Sequence, residues 1–471
     1  MIENVLAGRY ASPEMVALWD PANKVRLERE LWVTILEAQR GLGLVVDDAA
    51  VEAYQSVTDQ VDLGSVTERE RILRHDVKAR LEEFNALAGH EAVHLGMTSR
   101  DLTENVEQLQ IRRSLNLVLI RAVASLLVLA RLATEHSNLA ITGRTHNVAA
   151  QVTTVGKRLA TAGEELAQAV EAVEVLLVRL PLRGIKGPVG TQQDQVELLG
   201  SPEAAAELDR RVAEKLGFRT TTVSVGQIYP RSLDLEVVAS LVKLAAGPSS
   251  LTTTLRLMAG HDLATEGFRP GQVGSSAMPH KMNARTSERI HGLKVILSGH
   301  LAMAAGLTGE QWNEGDVSCS VVRRVMLPDA FFAIDGLFQA FLTVLNEVGF
   351  FPAVIERELT ANLPFLATTR LLVAAVLAGM GREEAHEKIR LHAVDAALAR
   401  RRDPDGETDL LDRLASDPSF PLDRAQAEQA MSDPLTFTGR APEQVGAFVE
   451  RVEAIAARHL EAVEYRPAPI L

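Results

Sequence analysis

Three long runs of apolar residues at three- and four-residue spacing constrain the fold of this chain more than any other feature of its sequence. This spacing places the apolar side chains on one face of a helix, so each run predicts a helix that packs against a core. Two of the runs cover 22 residues and the third covers 15, all above the usual helix length of about 11 residues. The runs are Leu159, Leu166, Val170, Val173, Leu177 and Leu180; Val237, Leu241, Leu244, Leu251, Leu255 and Met258; and Ile290, Leu293, Leu297, Leu301 and Ala304. Such long helices predict an elongated bundle.

Other features of the central segment agree with a helical bundle. Aromatic residues, which prefer strands, make up only 4% of the chain, so the composition favours helices over sheets. Residues 115–133 are apolar nearly all round, which predicts a central helix that is buried on every side. Pro248 falls within the second run, where we expect a kink. The apolar faces exceed what one bundle needs, so we predict an all-α protein that oligomerises through them.

The length of 471 residues suggests about three domains, and the pattern of helices divides the chain in the same way. We predict an N-terminal domain of shorter helices over residues 1–99 and a central bundle of long helices over residues 100–350. Residues 351–471 are predicted to form a C-terminal domain of short helices, because prolines interrupt this part of the chain repeatedly. These prolines are Pro352, Pro364, Pro404, Pro418, Pro421 and Pro434.

Charge and cysteine content exclude several classes of protein. The formal net charge of −13 would repel nucleic acid over most of the surface, and no run of lysine and arginine offsets it. The single cysteine, Cys319, rules out an intramolecular disulfide and suits a reducing compartment. The N-terminus lacks the layout of a signal peptide, and the most apolar stretch, residues 122–130, is too short to span a bilayer. We therefore expect a cytoplasmic protein with no nucleic-acid or membrane partner.

The segment over residues 271–289 is the most informative for chemistry. Its first half is rich in Gly, Ser and Pro, which predicts a flexible loop, and Asn283 is a candidate N-cap for the helix that follows. A loop with hydroxyls, a lysine and backbone amides at a helix start suits a lid that binds carboxylate. An ordinary surface loop would explain the Gly-Ser-Ser part alone. The full run Gly-Ser-Ser-Ala-Met-Pro-His-Lys-Met-Asn over residues 274–283 resembles the signature of the fumarase, aspartase and argininosuccinate lyase superfamily, whose members make or add to fumarate.

Two further polar segments contain candidate site residues. Residues 143–158 are a polar break ahead of the first apolar run, and they include His146. A single histidine in a loop is more often structural than catalytic, but Thr-His followed by Thr-Thr resembles a second active-site segment of the superfamily. The third segment combines residues 74–78 with residues 96–101 downstream.

Within the superfamily, the sequence resembles the adenylosuccinate lyases from Arg9 to Arg440. The matching features are dispersed along the chain and hard to obtain by chance. They are Arg9-Tyr10, Arg74-His75-Asp76, Gln227 and Tyr229 with Arg231, Pro279-His280-Lys281, Gln311-Trp312, and residues 364–368, 386–390 and 437–440. The resemblance implies an enzyme that releases fumarate from adenylosuccinate and from succinyl-aminoimidazole-carboxamide ribotide. It also implies a homotetramer in which three subunits assemble each active site.

The resemblance implies roles for individual residues as well. Ser275 would remove the proton as a base, while His146 would protonate the departing nitrogen with Glu288 as its orienting partner. Lys281 would stabilise the doubly charged carboxylate that forms, and His75 would help to position the substrate. The implied substrate-binding residues are Arg9, Tyr10, Arg74, Asp76, His94, Thr98, Ser99, Thr145, Gln227, Ser276, Met278, Asn283, Arg289, Ser320 and Arg324.

One motif match is declined. The sequence His90-Glu91-Ala-Val-His94 fits the zinc-protease pattern, which needs both histidines on one face of a sustained helix and a third ligand. Gly89 and Gly96 bracket this segment too closely for a long helix. We predict no metal site and no cofactor, because the chain has neither a cysteine cluster nor a dinucleotide-binding glycine motif after a strand.

Two places depart from the family pattern. Gly315 stands where many relatives have an arginine that meets the substrate, so the pocket is expected to lose one positive charge. Val148 and Ala149 replace a Gln-Pro pair that is common after Thr-His. The pocket is therefore expected to lack one hydrogen bond to the succinyl group.

Two alternative functions stay open at this point. Another lyase of the superfamily, such as argininosuccinate lyase, would release fumarate from a different substrate, so an assay with both substrates separates the two. A non-catalytic structural protein on the same fold would tolerate loss of the serine, histidine or lysine of the three segments, and this chain retains all three.

Overall fold

A computed structural model describes residues 4–267, 277–278, 280–403 and 408–468. The regular secondary structure of this part of the chain is almost all helix, with two small antiparallel sheets, so the predicted all-α class is confirmed. The helices are α1 Val5–Arg9, α2 Pro13–Trp19, α3 Pro21–Arg40, α4 Asp48–Val57, α5 Leu63–Leu73, α6 Asp76–Ala88, α7 Ser99–Glu135, α8 Val155–Arg179, α9 Gln193–Leu199, α10 Pro202–Lys215, α11 Ser232–Ala259, α12 Arg285–Leu307, α13 Cys319–Glu347, α14 Pro352–Leu366, α15 Thr368–Leu377, α16 Arg382–Arg402, α17 Leu410–Ser416, α18 Arg424–Gln429, α19 Ala441–Ala456 and α20 Glu461–Glu464. The strands are β1 Ala140–Thr145, β2 Val148–Thr154, β3 Ala264–Thr265 and β4 Gly349–Phe350, and a short 3₁₀ helix spans Pro434–Phe437.

Five long helices, α7, α8, α11, α12 and α13, form the central bundle. They contain 37, 25, 28, 23 and 29 residues. At 1.5 Å per residue, α7 is about 55 Å long. α12 packs against α11 and α13, while α7 packs against α8 and α13. The three apolar runs lie in α8, α11 and α12, which confirms the predicted bundle helices, and α11 continues as a helix through Pro248.

α7 is the central helix that residues 115–133 predict. Its apolar side chains are buried on several faces, and the bundle helices that pack most extensively against it are α8, followed by α13. Fully buried members of this core are Leu115, Val118, Ala122, Leu126 and Leu129 of α7 and Phe331, Phe338 and Phe341 of α13. Removal of these side chains from water is the main contribution to the stability of the bundle.

Three helices in the described part of the chain, α7, α12 and α13, are long and apolar enough to cross a membrane when judged by length and composition alone. The stretch over residues 122–130 is too short to span a bilayer by itself, but it belongs to α7, which is long and apolar enough to do so. In α7 and α13, 67% and 83% of the most apolar window is buried within the chain, whereas the value for α12 is 28%. The apolar surface of α12 is thus largely uncovered within one chain.

Residues 140–154 form a β-hairpin, which the sequence interpretation treated only as a polar break. β1 pairs with β2 from Ala140 opposite Thr154 to Thr145 opposite Val148. His146 and Asn147 make the two-residue turn, with φ of 53° and 61°. Positive φ at both turn positions matches the right-handed twist of paired strands, and Asn tolerates this conformation well. The hairpin follows the end of α7 and leads into α8.

The segments outside the bundle differ in how they join the core. The helices α3 and α19 contribute to the same continuous core as the bundle, whereas α15 to α18 enclose a separate small core around Leu371 and Leu410. The pair β3–β4 connects the end of α11 to the end of α13. The three-domain division at residues 99 and 350 stays a prediction.

Candidate active site

The start of α6 presents His75 and Asp76, two of the predicted site residues. Arg74 ends α5 in a left-handed conformation with φ of 53°, which reverses the chain between the two helices. His75 then caps α6, since its Nδ1 accepts a hydrogen bond of 3.2 Å from the backbone N–H of Lys78. A ring nitrogen that accepts a hydrogen bond has no proton, so neutral His75 carries its proton on Nε2. This nitrogen is therefore the one that can donate to a ligand.

Asp76 lies within a chain of alternating charges. Arg80 donates to Asp76 Oδ2 at 3.0 Å and pairs with Glu28 at 2.6 Å, while Arg324 lies 3.9 Å from the same Asp76 oxygen. Burial alone would raise the pKa of Asp76, but Arg80, the Val77 backbone N–H and Arg324 together hold it below the usual value. Asp76 is thus an ionised acceptor that keeps the exposed Arg324 guanidinium near the start of α6.

His94 faces the same region from a non-helical loop. The indole Nε1 of Trp32 donates to His94 Nδ1 at 3.0 Å. Burial lowers the pKa of His94, so its neutral form is favoured at neutral pH. The residues from His90 to His94 do not form a helix, which agrees with the reason for declining the zinc-protease pattern.

Thr98 and Ser99 stand at the start of α7, where the backbone is firmly held. Thr98 N–H donates to Asp101 Oδ2 at 2.7 Å, and the buried Asp101 also pairs with Arg183. Arg100, the second residue of the helix, donates to Ser320 Oγ at 2.8 Å and to Glu104 Oε1 at 3.2 Å. Ser320 belongs to the first turn of α13, so this bond joins the starts of two bundle helices.

A buried network of charges supports these helix starts, and of its members the sequence had indicated only Tyr229 and Arg231. Glu104 accepts from Arg231 at 2.9 Å and lies 3.5 Å from Arg323. Arg323 also donates to Asp234 at 2.8 Å, and the Tyr229 hydroxyl donates to the same carboxylate at 2.6 Å. Buried charges are stable only when they are paired, so this network fixes α7, α11 and α13 relative to each other.

Gln227 lies beside this network, next to the loop that precedes α13. Its backbone N–H donates to the Glu314 carbonyl at 2.6 Å. Gly315 has φ of +107°, and a Cβ there would lie 3.1 Å from Ile228 Cγ1. A side chain at position 315 would be strained in this backbone, which gives a local physical reason for the departure from the family pattern. We call His75, Asp76, His94, Thr98, Ser99, Gln227, Ser320 and Arg324 the helix-start cluster.

The β1–β2 hairpin carries Thr145 and His146 at the opposite end of the bundle. Arg144 holds the hairpin in place by donating to Glu358 of α14 at 2.8 Å and to the Asn147 carbonyl at 3.2 Å. His146 is exposed at the turn. Beside the hairpin lies a cavity of about 450 Å³, and its wall includes Arg144 and three further basic residues. These residues are Lys157, Arg158 and His261.

The base of α12 carries Lys281 and Glu288, and it borders an open cleft of about 940 Å³. Lys281 is exposed on the cleft wall, and Glu288 pairs with Arg256 at 3.5 Å. The predicted partnership between Glu288 and His146 stays a prediction. Three other predicted residues, Met278, Asn283 and Arg289, are exposed or partly exposed here, whereas Ser275 and Ser276 lie outside the described residues.

The prediction that Asn283 caps α12 is wrong. The N-cap position is Ala284, which makes no side-chain capping bond. Instead, Glu266 accepts from the backbone N–H groups of Thr286 at 2.8 Å and Ser287 at 2.9 Å, and from the Ser287 hydroxyl at 2.9 Å. A carboxylate at a helix N-terminus satisfies free N–H groups and interacts favourably with the helix dipole. The cap comes from far upstream in sequence, so no local motif reveals it.

One chain does not bring all the predicted residues together. The helix-start cluster lies where α7 begins, and the hairpin follows where α7 ends, about 55 Å away along that helix. The base of α12 lies at the hairpin end, because the end of α11 borders both the cavity and the cleft. Tyr10 packs against Gly336, about 24 Å along α13 from Ser320, and Arg9 is exposed beside it.

Comparisons with known proteins give a consistent result. A family model described as Lyase matches residues 30–297, and a model described as Adenylosuccinate lyase C-terminus matches residues 364–448. The chain is 35% identical to adenylosuccinate lyase of Saccharomyces cerevisiae over 95% of this chain and 93% of that protein. It is 34% identical to adenylosuccinate lyase of Schistosoma mansoni over 95% and 94% of the two chains. The crystal structure of a 3-carboxy-cis,cis-muconate lactonizing enzyme from Pseudomonas putida, 18% identical, has the same fold, with a TM-score of 0.81 over 96% of this chain and 100% of that chain.

Proposed function

The chain belongs to the adenylosuccinate lyase family, and from this membership we propose that it releases fumarate from adenylosuccinate, leaving AMP. The same elimination applies to succinyl-aminoimidazole-carboxamide ribotide in purine biosynthesis. The observation that carries the proposal is that family membership extends through both the lyase region and the C-terminal segment, which is specific to this family. Members of the wider superfamily act on other succinyl compounds, so the C-terminal match favours the nucleotide substrates.

The elimination requires a base that removes a weakly acidic proton beside a carboxylate and an acid that protonates the departing nitrogen. In our proposal Ser275 is the base and His146 is the acid. The position of His146 supports its role, because the two-residue hairpin turn leaves the imidazole exposed. Lys281 would stabilise the negative charge that develops on the carboxylate, and its exposed position on the cleft wall allows this.

Binding of the substrate requires cations, since adenylosuccinate has a phosphate and two carboxylates. The protein as a whole has a formal net charge of −13. Even so, the helix-start cluster contains Arg324, whose side chain is 69% exposed, and His75, which is 53% exposed. Exposed donors of this kind form charge-assisted hydrogen bonds with anionic groups. We propose that the cluster binds one anionic part of the nucleotide.

We propose further that the protein is a homotetramer with shared active sites. The separation of about 55 Å between the two ends of α7 supports this, because one chain cannot place His75 and His146 on the same substrate. The apolar surface of α12 also supports it, since Val295, Ile296 and Met303 are 56%, 39% and 43% exposed. Antiparallel packing of bundles from several copies would cover this surface and would bring opposite ends together. We place such a tetramer in the cytoplasm.

A fumarate-release assay tests the proposed function. The purified protein is incubated with adenylosuccinate and, separately, with argininosuccinate, and fumarate is measured over time. We expect fumarate and AMP from the first substrate and no fumarate from the second. Release from argininosuccinate alone would assign the chain to a different reaction of the superfamily.

A further inference from the structure

Arg100 has a position that neither the resemblance nor the comparisons assign to any role. It directly follows Thr98 and Ser99, and its guanidinium reaches across to the first turn of α13. Its side chain is 13% exposed, so most of it is buried while part of it remains accessible. We propose that Arg100 is a substrate-binding residue that, together with Ser320, holds an oxyanion of the substrate. This inference rests on the proposed function.

The hydrogen bonds of Arg100 support this role. One terminal nitrogen donates to Glu104 Oε1 at 3.2 Å, and the other donates to Ser320 Oγ at 2.8 Å. Since Ser320 Oγ accepts from Arg100, the hydroxyl proton is directed elsewhere and can be donated to a ligand. A guanidinium and a hydroxyl that are joined in this way form a pair of adjacent donors for one carboxylate or phosphate group.

The charges around Arg100 are distributed unequally. Glu104 is shared, because it also pairs with Arg231 and Arg323 at 2.8 and 3.5 Å. Arg231 and Arg323 both lie near a second carboxylate, Asp234, at 3.8 and 2.8 Å. Among the described residues, the ion pairs of Arg100 involve Glu104 alone. Its positive charge is therefore the least neutralised of the three and remains available to an anionic ligand.

The loop before α13, which contains Gly315, is the neighbour of Arg100 that bears on this role. Gly315 in that loop has φ of +107° and leaves little room for a side chain. Asp316, the next residue, is close enough to Arg100 for the guanidinium to contribute to its lowered pKa, after the hydrogen bonds from Ser318. The guanidinium of Arg100 is thus within electrostatic reach of the loop that contains residue 315. In our inference it supplies a positive charge to a pocket that has no arginine at position 315.

Substitution of Arg100 tests the inference. Arg100→Met keeps most of the length of the side chain and removes its charge, and Arg100→Lys keeps a charge without the two-pronged geometry. For Arg100→Met we expect the KM for adenylosuccinate to rise by about tenfold or more while kcat changes by less than about threefold, because a binding contact is lost. Arg100→Lys is expected to recover part of the affinity. The matched control is Arg131→Met, which removes an exposed arginine of the same helix that pairs with Glu135 at the same spacing.

Inhibition by the two products identifies the oxyanion, because fumarate has only carboxylates and AMP has only the phosphate. A rise in the inhibition constant for fumarate alone assigns Arg100 to a carboxylate, a rise for AMP alone assigns it to the phosphate, and a rise for both supports oxyanion binding in general. Circular dichroism and the thermal midpoint establish that each variant is folded. If folded Arg100→Met retains wild-type KM and both wild-type inhibition constants, the inference is wrong. Failure of the wild-type protein to act on adenylosuccinate would instead refute the proposed function.

Discussion

The indole Nε1 of Trp32 donates a hydrogen bond of 3.0 Å to Nδ1 of His94. Trp32 is almost fully buried in α3, so the bond connects the N-terminal helices to the helix-start cluster. It fixes the imidazole of His94 in the neutral form with the proton on Nε2, the nitrogen that remains free to donate. The position of His94 therefore depends on a residue that has no contact with the substrate in our proposal.

Trp32→Phe removes this donor while it preserves most of the buried aromatic volume. We expect the variant to fold and its kcat/KM to fall by roughly 5- to 50-fold, because the ring of His94 is free to rotate and to change tautomer. The activity should also decline at a higher pH during acidification than in the wild type, because burial lowers the pKa of His94 and the smaller phenyl ring buries the imidazole less completely. A pH profile of kcat/KM measures both effects. An unchanged profile would contradict the positioning role of Trp32.

Variants of the two proposed catalytic residues provide the most direct test of the mechanism. Ser275→Ala and His146→Ala should each lower kcat by about 100- to 10,000-fold, which is the usual contribution of a general acid or base. The thermal midpoint should remain near that of the wild type, because His146 is exposed at a hairpin turn. Steady-state kinetics with adenylosuccinate gives the result. A kcat within tenfold of wild type would remove that residue from its assigned role.

Mixtures of inactive variants test the sharing of active sites. His75→Ala and His146→Ala affect opposite ends of one chain, so subunits of both kinds can combine into some sites with both residues intact. After denaturation and joint refolding in equal amounts, we expect up to about one quarter of wild-type activity. His75→Ala mixed with Arg324→Ala is the control. One chain provides both residues to a site, so every site in this mixture lacks one of them. Equal activities of the two mixtures would contradict shared sites.

Because Glu266 caps α12 beside the cleft, we expect its substitution to lower both the stability of the protein and its activity. Glu266→Gln replaces a carboxylate that accepts three hydrogen bonds at the start of α12. We expect a loss of about 1–2 kcal/mol in the free energy of unfolding, which is typical of a charged helix cap. The activity should also fall, because Lys281 and Glu288 lie on the same cleft. Denaturant unfolding measures the first effect, and the exposed Glu356→Gln is the control. Equal stability of the two variants would show that the cap is dispensable.

His300 of α12 makes stability depend on pH. It is 7% exposed, and both of its ring nitrogens lack hydrogen-bond partners among the described residues. Burial lowers the pKa of His300 below the usual value, as it does for His94 and His136. A lowered pKa in the folded state means that the unfolded chain binds protons first during acidification. Stability is therefore present above about pH 6.5 and is lost as the pH falls below it.

His300→Leu should reduce this loss, because it removes a titrating group and fills the same space with an apolar side chain. We expect the thermal midpoint of the variant, relative to the wild type, to be higher at pH 5.5 than at pH 7.5. His291→Leu, an exposed histidine of the same helix, is the control. A difference that is the same at both pH values would exclude His300 as a source of the pH dependence.

The sequence was sufficient for those parts of the fold that depend on local periodicity. The apolar runs in α8, α11 and α12 repeat over several turns, and such repeats specify both the helix and its buried face. The hairpin escaped prediction because threonines, a glycine, an arginine and a glutamine interrupt its few apolar residues, and such a mixed composition resembles a loop. Its two-residue turn uses His146-Asn147 in place of the more common Asn-Gly, so the strongest local signal for a hairpin is absent.

The site was predictable only in the residues that belong to contiguous motifs. Glu266 and Trp32 act on residues far away in sequence, and the ion pairs of Glu104 join three helices. Contacts of this kind depend on tertiary packing, which periodicity does not encode. The separation of the predicted residues into two ends follows from the length of α7, a quantity that the apolar pattern gives only approximately.

The unbroken length of α7 also sets the distance between the helix-start cluster and the hairpin. Each residue of a helix advances the chain by about 1.5 Å and turns it by about 100°, so one inserted or deleted residue between Ser99 and Glu135 would displace the whole hairpin relative to the helix-start cluster. The same change would rotate every buried side chain beyond it by about 100° relative to the core that it now contacts. A conservative substitution in α7 leaves the spacing between the two ends of the bundle unchanged, whereas an insertion or deletion cannot, so we expect the length of α7 to tolerate less change than its sequence.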